Sequence, residues 1–331
     1  MAVYTQVSTG QARQLMRSLK LGELTQLQGC ASGIENTNYF VSTERDGLVL
    51  EYVLTLFERL TATQLPFYLG LMKHLANRQI PVPNPQPNAR GELVLHVNGK
   101  PAAVVNKLPG CSELSPGISH CAQVGAMLAR LHQAGRDFDQ QQPNLRALPW
   151  WNDTVPVVLP YLNASQATLI QAELAFQNHI AASSSYAALP RGPIHADLFR
   201  DNVMFDSVHG APLLSGFIDF YFAGVDTWLF DLAVALNDWC IDLSSQTHQA
   251  SLAHAFIAAY NTVRPLQAAE RELLPAMLRA AALRFWITRL WDFYLPRQAS
   301  LLTAHDPGHF EQVLRMRATR PLAYPALAGV A

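Results

Sequence analysis

The stretch RGPIHADLFRDNVMFD, residues 191–206, sets His195, Asp197 and Asn202 in a largely apolar context. Asn202 follows Asp197 by five positions, the width of a short loop between apolar runs. A second apolar run, SGFIDFYFAG at 215–224, carries one acid, Asp219. Moving a phosphoryl group from ATP to a hydroxyl needs few protein parts: a carboxylate to orient and accept the hydroxyl proton, and oxygen ligands for magnesium against the phosphates. Asp197 suits the first task. The Asn202 amide oxygen and the Asp219 carboxylate suit the second, because a third aspartate in the same place would add excess charge. Arg200, in the same loop, is a candidate to supply positive charge to the transferring group. His195 reads as a support for the loop rather than a chemical participant.

Composition sets the frame around this stretch. The chain has 331 residues, 50% apolar and 15% charged, with a formal net charge of −1. That is enough material for two units, each with a core. The near-zero charge and the lack of basic runs interleaved with aromatics argue against a nucleic-acid surface. Four scattered cysteines with no CxxC pair and no zinc-ligand spacing predict free, mostly buried thiols in a reduced compartment. The first residues lack an apolar signal core and no apolar run reaches membrane-spanning length, so a cytoplasmic, non-membrane protein is expected.

Patterning divides the chain. Ser8 and Gln11 form a capping box for a first helix, with Gly22 just beyond its end. Two strands follow, around Asn38–Thr43 and up to Phe57, turning at Asp46-Gly47. A helix over 62–79 is stopped by the proline-rich IPVPNPQPNARG, and a second hairpin turns at Asn98-Gly99. The run PGCSELSPG punctuates the chain, which places a nucleotide-binding lobe at 1–108 and a catalytic and substrate-binding lobe at 109–331. The second lobe reads as mainly helical, with a helix capped by Ser119 and closed by Gly135, and further helices near 163–182, 231–242, 248–263 and 270–294. The fold class expected is α+β, with a small antiparallel sheet in the first lobe.

The pattern H-x-D-x4-N followed by I-D-F resembles the catalytic and metal-binding segments of the protein-kinase-like fold, specifically the aminoglycoside-phosphotransferase-like small-molecule kinases. GIENTNYFV, YVLTLFE, LARLHQAG, HADLFRDNVMF and FDLAVALNDWC, taken in order, are most similar to the homoserine kinase branch of that superfamily. The resemblance implies a two-lobe fold with ATP bound in the cleft around a Pro109-Gly110 hinge, Asp197 as base, and Asn202 and Asp219 as magnesium ligands. It also implies that Asp231 starts a helix and braces the catalytic loop. The implied reaction phosphorylates the side-chain hydroxyl of L-homoserine to O-phospho-L-homoserine, a step in threonine biosynthesis.

Phosphate contacts are expected from Ser32, Gly33, Asn36, Thr37 and Asn38, just before the first predicted strand, where small polar residues can replace a glycine-rich loop. One departure stands out. The strand position that carries a phosphate-gripping lysine in kinase-like lobes is Thr55 here, and the following helix has no glutamate to pair with one. A binding module without turnover is therefore a rival reading, although base and metal ligands are intact. For the acceptor, Arg289 is the candidate for a carboxylate, Asp238 or Asp226 for an ammonium, and Trp286 for a neighbouring contact on the same helical face. Choline, ethanolamine or an aminoglycoside is the alternative acceptor, though a choline site would favour an aromatic cage without the arginine.

Overall fold

The computed structural model describes residues 4–30, 36–208, 210–242, 245, 247–295 and 305–320. The chain divides into two compact units. The first comprises Met1–Gly110 with two short returning segments, Phe138–Gln140 and Ser215–Ile218, and the second comprises the remainder. The first unit is therefore not one continuous stretch.

The first unit begins with α1 (Thr9–Ser18), whose Ser8 hydroxyl accepts from the Gln11 amide while the Gln11 side chain accepts from the Ser8 amide. Strands β1 (Glu23–Gly29), β2 (Asn36–Arg45) and β3 (Leu48–Phe57) follow, then α2 (Leu65–Asn77), β4 (Leu95–Val97) and β5 (Lys100–Asn106). The sheet order is β1-β2-β3-β5-β4, antiparallel throughout. Both hairpins turn where both central residues take positive φ: 55° and 76° at Asp46-Gly47, 52° and 76° at Asn98-Gly99. That geometry matches strand twist and selects Asx-Gly. Strand β1 has no counterpart in the sequence reading, because its mostly exposed residues and a register shift between Leu24 and Gln26 hide any alternation. In β2 the alternation is clear: Thr37, Tyr39, Val41 and Thr43 face the core with Met16, Leu54, Leu56 and Val104.

The second unit contains β6 (Cys111–Ser112), α3 (Ile118–Ala134), α4 (Leu148–Val158), α5 (Ala164–Ala181), α6 (Ser184–Ala187), β7 (Arg191–Ile194), β8 (Val203–Val208), β9 (Ala211–Phe217), β10 (Gly224–Thr227), α7 (Trp228–Trp239), α8 (Ala250–Val263), α9 (Ala268–Tyr294) and α10 (Gly308–Thr319). The end of β9 is counted with the first unit. Helix α3 starts two positions earlier than expected: Gly117 is its cap, and the Gly117 amide is held by His120, so Ser119 lies inside the helix. Helix α3 lies against α8 so closely that a side chain at Gly125 would sit 2.2 Å from the Phe256 carbonyl oxygen. Every residue of α7 is buried. A helix that is apolar all round belongs in the middle of a core, and its few polar residues must then be paired.

Cys30, Cys121 and Cys240 are buried, and Cys111 is exposed. Among the described residues no helix is long and apolar enough to cross a membrane.

Candidate active site

The chain leaves β7 at Ile194 and enters the loop His195–Asn202. Two acids on α7 hold this loop at two points. Asp231, fully buried, accepts from the His195 amide at 2.8 Å and from the Ala196 amide at 2.7 Å. Asp238 accepts from the Arg200 amide at 2.8 Å and from Arg200 Nε at 3.1 Å. The two acids are seven positions apart, two helical turns, so one face of α7 presents both. Asp197 lies between the two grips.

The first grip stabilises an unusual backbone. Ala196 has φ +64°, a left-handed conformation that costs a non-glycine residue about 1–2 kcal/mol. The bond from its amide to Asp231 holds it there and aims Asp197. Asp231 is itself fixed from behind by His132 Nε2 at 3.0 Å. His132 Nδ1 lies 2.7 Å from the Tyr260 hydroxyl, which accepts from Arg264. The tyrosine proton therefore points at Nδ1, and His132 is neutral with its proton on Nε2. Burial pushes the His132 pKa down. For Asp231 burial raises the pKa, but the bonds from His132 and the nearby loop outweigh it, so the carboxyl lies below its usual range. The sequence reading made Asp231 a helix start. The N-cap is Thr227, whose hydroxyl accepts from the Phe230 amide, and Asp231 sits one turn further in.

Asp197 keeps 18% of its side-chain exposure. Burial pushes its pKa up to about 7, against the pull of the Arg284 guanidinium and with the push of Asp219. Asn202 donates its amide nitrogen to the Asp197 carbonyl at 2.8 Å and lies 3.4 Å from Asp197 Oδ2. Both partners are acceptors, which sets the amide orientation and leaves its oxygen for another ligand. Asp219, exposed and also left-handed at φ +63°, precedes Phe220, whose ring packs 4.6 Å from that of His195. The structure thus brings Asp197, Asn202 and Asp219 to one place. One carboxylate and one amide oxygen, beside a second carboxylate, form a donor set that fits a hard, phosphate-bound divalent cation. No group of three or more His, Cys, Asp or Glu that could hold a metal occurs among the described residues.

Other expected site residues are placed elsewhere. Arg200 is buried, and its guanidinium binds Asp238 (side chain and carbonyl), the Leu114 carbonyl at 2.8 Å and the Ile241 carbonyl at 3.0 Å. It is a brace, directed at backbone carbonyls rather than free for a phosphoryl group. Asp238 is its partner, so it is not available to an ammonium. Asp226 is engaged by Asn144 at 2.9 Å and Arg191 at 3.4 Å. Trp286 is completely buried in α9 and packs in the core. Arg289 lies over the Phe310 ring at 4.5 Å and reaches the Asp306 carbonyl at 3.5 Å. Arg284, one helical turn before Thr288 on α9, comes closer to the base than either: its Nη1 is 3.8 Å from Asp197 Oδ1. Nothing in the local sequence singles out this arginine.

In the first unit, Ser32 and Gly33 lie outside the described residues. Thr37 cannot serve a phosphate: it is core-facing, and its hydroxyl accepts from the Tyr4 and Thr5 amides and donates to Glu58 at 2.7 Å. The period of a strand requires this, since Asn36 and Asn38 share the opposite face. Thr55 pairs across to Asn38, its hydroxyl donating to Asn38 Oδ1 at 2.8 Å. Lys73 is held by Asn84 and the Pro85 carbonyl.

Comparison with known proteins fits this geometry. The chain is 63% identical over 321 residues to a homoserine kinase of Polaromonas naphthalenivorans, covering 97% of this chain and 99% of that one. It is 55% identical to a homoserine kinase of Cupriavidus pinatubonensis over the full length of both. Among solved structures, amicoumacin kinase in complex with AMP-PNP, Ca2+ and amicoumacin superposes with TM-score 0.63 at 17% identity, covering 92% of this chain and 91% of that one. That likeness establishes the protein-kinase-like α+β fold. The model of the phosphotransferase enzyme family matches residues 26–300, and the chain belongs to that family.

Proposed function

We propose that the protein is an ATP-dependent homoserine kinase, transferring the γ-phosphoryl group of ATP to the side-chain hydroxyl of L-homoserine. The near-full-length relatedness to homoserine kinases carries this reading, and the arrangement around Asp197 supports the reaction class. The hydroxyl oxygen attacks the γ-phosphorus, and its new bond forms as the bond from that phosphorus to the ADP oxygen breaks. The hydroxyl proton passes to the Asp197 carboxylate. ADP and O-phospho-L-homoserine leave, the latter a precursor in threonine biosynthesis in the cytoplasm.

The loop clamp fixes Asp197 before substrate arrives, so the orientation of the hydroxyl costs little reorganisation. Asn202 and Asp219 are the ligands we assign to Mg2+, which when bound neutralises charge on the phosphates. Phosphate contacts from the first unit are assigned to Ser32, Gly33, Asn36 and Asn38. ADP release with Mg-ATP and L-homoserine, choline, ethanolamine or an aminoglycoside tests the assignment. Selective turnover of L-homoserine is expected, and turnover of another alcohol in its place would discard this acceptor. Asp219→Ala is expected to raise the magnesium concentration needed for half-maximal rate. An unchanged requirement would remove Asp219 from the metal.

A further inference from the structure

Arg284 has a feature that the phosphoryl-transfer chemistry does not use. It is 2% exposed, and its guanidinium packs 3.7 Å from the centroid of the Phe285 ring and 5.3 Å from that of Phe222. Burial brings its pKa down to about 10, so it remains a cation at neutral pH. Its Nε and Nη2 are buried with no hydrogen-bond partner among the described residues. The remaining nitrogen, Nη1, is 3.8 Å from Asp197 Oδ1, beyond hydrogen-bond distance. Arg146 and Arg289 lie near enough to press on its charge, while Asp197 and Asp292 oppose them. A buried cation with unpaired donors is costly unless an anion completes it, and a planar guanidinium is the side chain best shaped to bind a carboxylate.

We propose that Arg284 binds the α-carboxylate of the amino-acid acceptor and is the residue that selects an amino acid over a simple amino alcohol. The inference rests on the reading that Asp197 receives the acceptor hydroxyl. In a γ-hydroxy amino acid the hydroxyl and a carboxylate oxygen are five bonds apart, about 4–6 Å by ordinary bond lengths. A hydroxyl hydrogen-bonded to Asp197 and a carboxylate hydrogen-bonded to a guanidinium 3.8 Å away meet that separation without strain. An acceptor with only an ammonium leaves Arg284 unpaired and adds a like charge beside it. This moves the carboxylate site from Arg289, already seated on Phe310, one to two turns back along α9.

The test compares L-homoserine with 3-aminopropan-1-ol, the same acceptor without its carboxylate, and with L-homoserine amide. The wild type is expected to favour L-homoserine over both in kcat/KM by at least about 100-fold, towards the roughly 10⁴–10⁵-fold by which a site built to hydrogen-bond a polar group rejects an analogue lacking it. Arg284→Gln is expected to compress that preference to within about tenfold, mainly through KM for L-homoserine. Arg284→Lys, which keeps the charge without the fork, is expected to fall between. An unchanged preference in Arg284→Gln overturns the proposal. So does a wild type indifferent to the carboxylate, a result that needs no variant to fold. Calorimetric binding of the same three ligands reads the preference independently of turnover. A carboxylate preference in binding with no phosphorylation would therefore sink the kinase reading and leave Arg284 in place, whereas phosphorylation without the preference would do the reverse.

Discussion

Replacing Asp231 with asparagine changes one atom of a side chain that holds three donors. The carboxylate accepts from the His195 and Ala196 amides and from His132 Nε2, with no exposure to solvent. An asparagine offers one oxygen and turns an N–H towards at least one of those donors. Charge-assisted bonds contribute about 1.5–3 kcal/mol each and neutral ones about 0.5–1.5, and a buried donor left unpaired costs about 1–3 kcal/mol. The net loss comes to about 3–5 kcal/mol, which for a chain of this size lowers the unfolding midpoint by roughly 4–7 °C. The grip on Ala196 also slackens, so its left-handed φ relaxes and Asp197 moves. A displacement of about 1 Å at a reacting group costs on the order of 100-fold in rate. Scanning calorimetry and steady-state kinetics on Asp231→Asn therefore report two coupled losses: a lower midpoint, and a kcat reduced about 100-fold with KM for ATP within about threefold. A variant that melts within about 2 °C of the wild type with kcat intact would refute the clamp.

Two further outcomes follow from the same loop. Arg200→Gln leaves Asp238 as a buried acid without its guanidinium and strips donors from the Leu114 and Ile241 carbonyls; urea unfolding should show a loss of about 3–5 kcal/mol. Adding Asp238→Asn should recover part of it, and strict additivity of the two changes would contradict their pairing. Buried histidines tie stability to pH. The folded pKa of His132 lies below its unfolded value near 6.5, so the unfolded chain takes up the proton first and stability present above that pH is lost as pH falls. Asp231, whose folded pKa is also lowered, adds a second loss as pH drops below about 4. His248 and His309, each lowered to about 4 by burial, act in the same direction as His132. Asp197, raised to about 7 by burial, works the other way and adds stability as pH falls from about 7 towards 4. The histidine contribution is therefore read by difference: between about pH 6.5 and 5 the unfolding midpoint of His132→Gln should lose less, or gain more, than that of the wild type, and the opposite difference would show the histidine to be charged in the fold.

What was legible in the sequence was what local spacing controls. The hairpin turns at Asp46-Gly47 and Asn98-Gly99, the Ser8 capping box and the loop from His195 to Asn202 are all written in neighbouring residues. So is the convergence of Asp197, Asn202 and Asp219, because a short strand pair brings the second run back to the first. The errors concern contacts made far along the chain. Arg200 resembles a free catalytic-loop cation until α7, almost 40 positions on, delivers Asp238 to it. Thr37 lies in a run that reads as a polar turn, whereas β2, of which it is the second residue, turns it inward between two asparagines. Helices α4 and α10 were not read at all: Pro149 and Pro156 obscure the first, and the polar stretch before Phe310 obscures the second. Arg284 and Arg289 occupy the same helix, and sequence offered no reason to prefer the one that burial and Asp197 pick out.

If Asp197 accepts the proton as the L-homoserine hydroxyl is phosphorylated, its loss must stop product formation without unfolding the chain. Phosphorus NMR of wild type and Asp197→Asn with Mg-ATP and L-homoserine reads this. The wild type should convert ATP to ADP with the matching growth of one phosphomonoester resonance, coupled to the terminal methylene of homoserine. Asp197→Asn, folded by its calorimetric midpoint, should form none on the same time scale. A phosphomonoester made at near wild-type rate by Asp197→Asn, or ADP formed by the wild type with inorganic phosphate as the only other product, would contradict it.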